Sequence, residues 1–287
     1  MSLLGKSLLA PHTLPWLLQS QRAIGQLRDR GDEPSRQLAA ALDAALHDRW
    51  TPEEAVWVAR IEAVRQRAMQ SKTMIRMEDF GAGSPSAHLS AEQMYSGRIV
   101  EKTLGEFCHA SKPYLWTSVL FHLVRAFKPR VILELGCCVG ISASYQAAAQ
   151  QLNGFGKLWT FEGASELAAV ARQHLAELDL AQVTVVEGRF QDTLAPTIAV
   201  TAPIGCAFVD GHHDEDATLA YFAQLLPHLT PRALLIFDDI DWSAGMTRAW
   251  KRIAADPRVT ISVETRTLGL CVIDPTVAKR HWRIPLA

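Results

Sequence analysis

Carboxylates and histidines close several short apolar stretches of this 287-residue chain, and the richest of these ends is VDGHHDED at 209 to 216. Taken alone, the octapeptide is open to three readings: a metal site, a catalytic base with its neighbours, or the charged start of a helix. A second acidic end, IFDDI, supplies Asp238 and Asp239, 28 and 29 residues beyond Asp210. If the two stretches are adjacent strands, these carboxylates converge. Oxygen ligands of this kind suit a hard cation such as Mg2+, which keeps several waters and accepts one or two carboxylates. His212, Asp214, Glu215 and Asp216 read as a cap and acidic first turn that complement a helix dipole.

A different chemistry is suggested by ELGCCVGIS at 134 to 142, where Gly136 and Gly140 flank a tight turn and Ser142 starts a helix. Glycines let backbone approach a ligand closely, and a helix N-terminus offers free N–H groups to an anion. The G-x-x-x-G spacing departs from the G-x-G-x-x-G dinucleotide fingerprint, which argues against a nicotinamide dehydrogenase. Glu162 lies 26 residues beyond Gly136, about where an acidic side chain reaches a ribose.

The elements that must position these residues follow from the apolar pattern. From residue 113 onward, runs rich in Val, Ile and Phe (RVILELG, KLWTFEG, VTVVEG, IGCAFVDG, ALLIFDDI) alternate with helical stretches such as ASELAAVARQHLAEL. Strand then helix, repeated, predicts a parallel sheet covered on both faces, with ligands at the carboxyl ends of its strands. VTISVET and LGLCVID follow too closely for a crossover and predict an antiparallel pair at the sheet edge. The expected fold class is α/β: a doubly wound, mostly parallel seven-stranded sheet with helices on both faces and an antiparallel edge strand. Before it, Leu38, Leu42, Leu46 and Trp50 recur at helical spacing, and Thr51-Pro52-Glu53-Glu54 has the pattern of a capping box. Residues 1–98 are therefore expected to form a helical N-terminal extension and 99–287 the α/β domain. The Gly-, Ser- and Pro-rich segment 79–90 reads as a linker or lid. After IFDDI, Trp242 and Met246 are candidate walls of the substrate pocket; the alternative packs Met246, Trp250 and Ile253 on the sheet, and is the expectation for Trp250.

Composition narrows the partners. A formal net charge of −1 gives no electrostatic footprint for nucleic acid or an anionic membrane. Five cysteines with no C-x-x-C pair favour reduced thiols and a cytoplasmic protein. Pro11, His12 and Pro15 interrupt the apolar start before it reaches the length of a signal peptide.

VILELGCCVGIS, FEG, VEGRFQD, FVDGHH and LLIFDDI resemble, in order and spacing, the motifs of class I S-adenosylmethionine-dependent methyltransferases. The likeness is strongest to the metal-dependent small-molecule O-methyltransferases of the catechol type and to those acting on sugars of natural products. It covers roughly residues 113 to 274. The resemblance implies that Gly136, Gly140 and Ser142 hold the amino-acid end of S-adenosylmethionine, with Glu134 supporting the loop. Glu162 would take the ribose hydroxyls, and Gly188, Phe190 and Gln191 would line the adenine pocket. Asp210 would face cofactor and metal, with Asp238 and Asp239 as further ligands of Mg2+ or another divalent ion. Asp239 stands where the catechol-type enzymes usually carry asparagine, and adds a negative charge. His213 occupies the position of the family's general base, and histidine is the side chain that takes up a proton near neutral pH. The expected activity is Mg2+-assisted O-methylation of a small molecule. The alternatives are a metal-independent N- or C-methyltransferase, or a non-catalytic methyltransferase-like binding protein. The extension is expected to serve as lid, substrate cover or contact of a homo-oligomer.

Overall fold

The computed structural model of the protein describes residues 14–81 and 91–286. The apolar start of the chain and most of the 79–90 segment lie outside the described residues. The five apolar runs form β3 (Val131–Leu135), β4 (Lys157–Glu162), β5 (Val183–Glu187), β6 (Ile204–Val209) and β7 (Leu229–Phe237). All five are parallel to their neighbours in this set. Helices α7 (Ile141–Asn153), α8 (Ser165–Glu177), α9 (Phe190–Thr201), α10 (Glu215–Leu225) and α11 (Ala244–Ala255) make the crossovers and return. Ile132, Leu133, Leu135, Cys206, Ala207 and Phe208 are each fully buried, as strands covered on both faces require.

The sheet has eight strands, in the order β10-β8-β9-β7-β6-β3-β4-β5, where the sequence predicts seven. The additional strand, β10 (Arg280–Arg283), lies parallel to β8 (Ile261–Glu264). Its sequence is RHWR and it is mostly exposed, so it carries no apolar signature. β8 and β9 (Gly269–Ile273) form the expected antiparallel pair. β9 also pairs antiparallel with β7, so it is interior and β10 takes the edge.

Before the sheet come α1 (Leu14–Arg28), α2 (Glu33–Leu46) and α3 (Pro52–Gln70). Thr51 caps α3 in a full capping box with Glu54, as its sequence predicts. The extension is not wholly helical: β1 (Met74–Asp79) and β2 (Arg98–Thr103) form an antiparallel ribbon with Met74 opposite Thr103. The expected boundary at residue 98 therefore falls on the first residue of a strand. Nor does it separate two cores. Leu38, Leu42 and Leu46 of α2 are buried, α2 packs on α6 (Tyr114–Phe127), and both belong to the cluster that covers one face of the sheet. No helix among the described residues is long and apolar enough to cross a membrane.

Because the extension shares the core of the sheet, Leu42→Ala should destabilise the whole protein by about 2–5 kcal/mol in denaturant titration. Independent melting of the first three helices would contradict this packing.

Candidate functional site

The strand order reverses beside β3, which sends the chain to β4 and β5 on one side and lies against β6 on the other. Ligands of open parallel sheets bind at such a point. Here the ends of β3 and β6 touch: Gly136 has φ +97°, and a Cβ on it would lie 2.0 Å from the carbonyl oxygen of Asp210. Only glycine fits. Gly140 is the N-cap of α7, with no side chain capping the helix, so first-turn N–H groups are left for a ligand.

A cleft of about 870 Å³ opens over these ends and is lined by Gly136, Ser142, Glu162, Phe190, Asp210 and His213 among others. Both oxygens of Glu162 are held by backbone amides, Oε2 by Cys138 at 2.8 Å and Oε1 by Ala164 at 3.0 Å. Burial pushes its carboxyl up to about 7. Over the neighbouring turn lies Phe80, whose ring would meet a Cβ on Gly163 at 2.8 Å. Asp79 and Arg98 from the same ribbon pair at 2.9 Å and also line the cleft. The ribbon is thus one wall of the cleft.

Glu134 lies beneath the cleft, with no exposed surface. Its Oε1 accepts from Gln146 at 2.7 Å and its Oε2 from Thr160 at 2.5 Å, tying β3 to α7 and β4. Burial, the largest influence, raises its carboxyl to about 7.

At the other end of the cleft, Asp210 and Asp238 converge from the ends of β6 and β7. Oxygens of both and a ring nitrogen of His213 lie within 4.8 Å of one another. His213 Nε2 is 3.8 Å from Asp210 Oδ1 and 3.8 Å from Asp239 Oδ2, and its ring lies tilted against Trp242, with centroids 5.4 Å and planes 35° apart. Asp239 therefore meets the group through His213 and is not part of the tight trio. His213 and Asp239 both hold left-handed backbone, φ 46° and 49°. For residues with a Cβ such conformations are uncommon, and the local packing that enforces them aims both side chains inward.

An ammonium stands among these acids. Lys112, just before α6, bonds Asp238 Oδ2 through Nζ, which also lies 3.7 Å from Asp210 Oδ1. Burial raises the carboxyl of Asp210, and the charges of Lys112 and His213 act against that rise. The second oxygen of Asp238, Oδ1, is buried without a hydrogen-bond partner, although the residue is only 1% exposed. A hard cation fits the oxygen donors of this group, the orphaned carboxylate oxygen of Asp238 and the carboxylate of Asp210, with the His213 imidazole beside them.

The remaining expected residues are distributed as follows. Phe190 lines the cleft and meets Phe161 edge-on, whereas Gly140 and Gly188 serve the backbone, the first against Ala171 and the second against Thr193. Gln191 is exposed and its Nε2 lies 3.3 Å from His212 Nε2, outside the lining. His212 is not a helix cap: it is buried with Nδ1 2.7 Å from the Tyr221 hydroxyl, and Asp214 alone caps α10. Trp250 packs as expected, and Met246, a candidate wall, is packed as well and is not among the residues lining the cleft, each being 3% exposed; Trp242 does line it. Lys112 carried no motif, and Asp79 and Phe80 open the segment read as a linker or lid without being singled out. Lys112 is a lone lysine far from the acids in sequence, and the ribbon shows no strong alternation.

Residues 133–240 match the family model described as a methyltransferase domain. No curated protein sequence matches the chain. Among solved structures, it is similar to the O-methyltransferase TomG from Streptomyces achromogenes, involved in tomaymycin synthesis and solved in complex with SAM. Identity is 26%, with 57% of this chain and 82% of that one covered and a TM-score of 0.50. An O-methyltransferase from Bacillus cereus in complex with SAH shares 24% over 57% of this chain and 83% of its own, with a TM-score of 0.49. A candidate caffeoyl-CoA O-methyltransferase from Staphylococcus aureus shares 17% over 59% and 90%, with a TM-score of 0.51. The α/β sheet is thus a fold shared with solved O-methyltransferases. Every acidic strand end described above falls within the matched segment, while Lys112 and the β1–β2 ribbon precede it.

The burial of Glu134 has a pH consequence. Its folded pKa of about 7 exceeds the ordinary 4.5, so the folded state holds the proton more tightly and its contribution to stability falls as pH rises from about 4.5 to 7. Glu134→Gln should lose less stability than the wild type between those limits in denaturant titration. An identical pH slope would contradict the assignment.

Proposed function

Since residues 133–240 form a methyltransferase domain, we propose that the protein transfers a methyl group from S-adenosylmethionine to a hydroxyl of a small molecule. The observation that carries this reading is one cleft with two chemically different ends. At one, Glu162 and the open N-terminus of α7 offer acceptors to hydroxyls and donors to a carboxylate. At the other, acids and His213 surround the place a hydroxyl would occupy.

S-adenosylmethionine supplies an electrophilic methyl on a sulfonium centre. In this reading Glu162 binds the ribose hydroxyls, its carboxylate already oriented by the amides of Cys138 and Ala164. Phe190 and the ribbon residue Phe80 enclose the cofactor between them and exclude water. Ser142 and neighbouring first-turn N–H groups of α7 receive the carboxylate end, while Glu134 holds their loop from below. Asp210 and Asp238, with His213 beside them, are the residues that would hold Mg2+, and Asp239 adds charge from the far side of the imidazole. A divalent ion there supplies a positive charge that makes a neighbouring hydroxyl easier to deprotonate. His213 accepts the hydroxyl proton at Nε2; its ring is steadied by Trp242 and by carboxylates 3.8 Å away on two sides. The rate then comes chiefly from alignment of acceptor and methyl in a closed cleft.

Similarity to TomG, whose structure contains SAM, supports the cofactor assignment. Transfer without a metal is the second reading, favoured by the Lys112 ammonium on Asp238. A cleft of about 870 Å³ supports a small-molecule acceptor. A homo-oligomer through the N-terminal helices would use their outer faces, where Leu18 and Val56 are exposed.

Transfer of isotope-labelled methyl from S-adenosylmethionine to a panel of small phenols and sugars tests the reading, with and without EDTA. His213→Gln should retain binding of S-adenosylhomocysteine by calorimetry and lose about 10²–10⁴-fold in kcat. Glu162→Gln should lose the binding itself. Absence of S-adenosylhomocysteine binding by the wild type would overturn the proposal, and activity indifferent to EDTA would select transfer without a metal.

A further inference from the structure

Asp210, Asp238 and Asp239 bring three formal negative charges to one end of the cleft, and Lys112 is the one lysine that meets them among the described residues. Its side chain is 13% exposed, so its charge is little screened by water. The backbone beside that ammonium is fixed from the N-terminal helices. Arg65 of α3, itself 6% exposed, donates from Nη1 to the Lys112 carbonyl at 2.7 Å and from Nη2 to Thr117 at 3.3 Å, while Glu62 holds its Nε at 2.8 Å. Lys112 is therefore anchored at its backbone and free to swing only through its four-carbon side chain. Its ammonium binds one oxygen of Asp238, and the other oxygen of that same carboxylate is the buried atom without a partner.

We propose that Lys112 is a resident counter-ion that occupies the cation position, so that its ammonium and a divalent metal bind the Asp210–Asp238 pair in alternation. Both neutralise the same carboxylates. Asp238 cannot remain bonded to the ammonium and turn both oxygens to a metal, and a second cation at this spacing would repel the first. Metal entry swings the lysine head away from Asp238 into the cleft, whose wall it already forms. Without metal, the ammonium keeps the buried Asp238 and the half-buried Asp210 from facing one another uncompensated, which would otherwise be costly. The N-terminal helices thereby contribute to the acidic site through the chain Glu62, Arg65 and Lys112. The inference rests on the methyltransferase reading only for the expectation that a metal enters here at all.

Binding of Mn2+ alone, followed by the electron paramagnetic resonance of the free ion, tests the alternation. Lys112→Met should bind Mn2+ roughly tenfold or more tightly than the wild type, the scale on which removal of a close opposing charge acts. Lys112→Arg, which keeps the charge, should not gain affinity. Equal affinities in all three proteins, weaker binding by Lys112→Met, or no binding by any of them would overturn the proposal. A second measurement needs no variant: acylation of Lys112 in the wild type, read by mass spectrometry, should accelerate several-fold when Mn2+ saturates the protein. An unchanged rate would also overturn it. Calorimetry with S-adenosylhomocysteine on the same samples separates the two levels. If that ligand binds while the Mn2+ results are negative, only the counter-ion role falls; if it does not bind, the methyltransferase reading falls instead.

Discussion

Two carboxylates held close together, the buried Asp238 and the half-buried Asp210, are the constraint around which the rest of the site is arranged. They end neighbouring parallel strands, so the ladder between β6 and β7 fixes their separation whatever their mutual repulsion. Charges this close and this buried are tolerated only with a cation beside them. The cation beside them in the structure is Lys112. The need to deliver it explains the path of the chain before the sheet. Arg65 fixes the turn that carries Lys112, α3 carries Arg65, and α3 is held within the same core that covers the sheet. The extension is thus part of the acidic site's support as well as a cover.

The cleft divides its work by polarity. Glu162 and Glu134 look alike in sequence, each an acid at a strand end, but they differ in what their oxygens meet. Glu162 keeps its carboxylate at the cleft, held by amides; Glu134 is turned under the loop and spends its oxygens on Thr160 and Gln146. His213 and His212 differ in the same way. Both reach the cleft, but one leans on Trp242 between two acids, whereas its predecessor is buried with its Nδ1 bonded to Tyr221.

Much of this was legible in the sequence, for physical reasons. Strands covered on both faces must be continuously apolar, so β3 to β7 announced themselves, and the acids that end them stood out against that background. The convergence of Asp210 with Asp238 followed from placing those strands side by side. What escaped had no local signature. β10 is the polar segment RHWR, recognisable only by its pairing with β8. The β1–β2 ribbon interrupts an extension whose capping box and leucine spacing spoke only for helices. Lys112 is one lysine among many basic residues, and its role depends on a contact across 126 positions of chain. Asp239 was expected beside its neighbour as a ligand, but a left-handed backbone at that residue turns it toward His213.

The central claim, that this acidic strand-end cluster is the cation position of a methyltransferase cleft, is tested most directly by an anomalous difference map. Crystals grown with S-adenosylhomocysteine and Mn2+ should show a manganese peak bonded to Asp210 and Asp238, with the Lys112 ammonium withdrawn from Asp238. S-adenosylhomocysteine bound beside Glu162, with no manganese peak at the cluster and Lys112 still on Asp238, would contradict it.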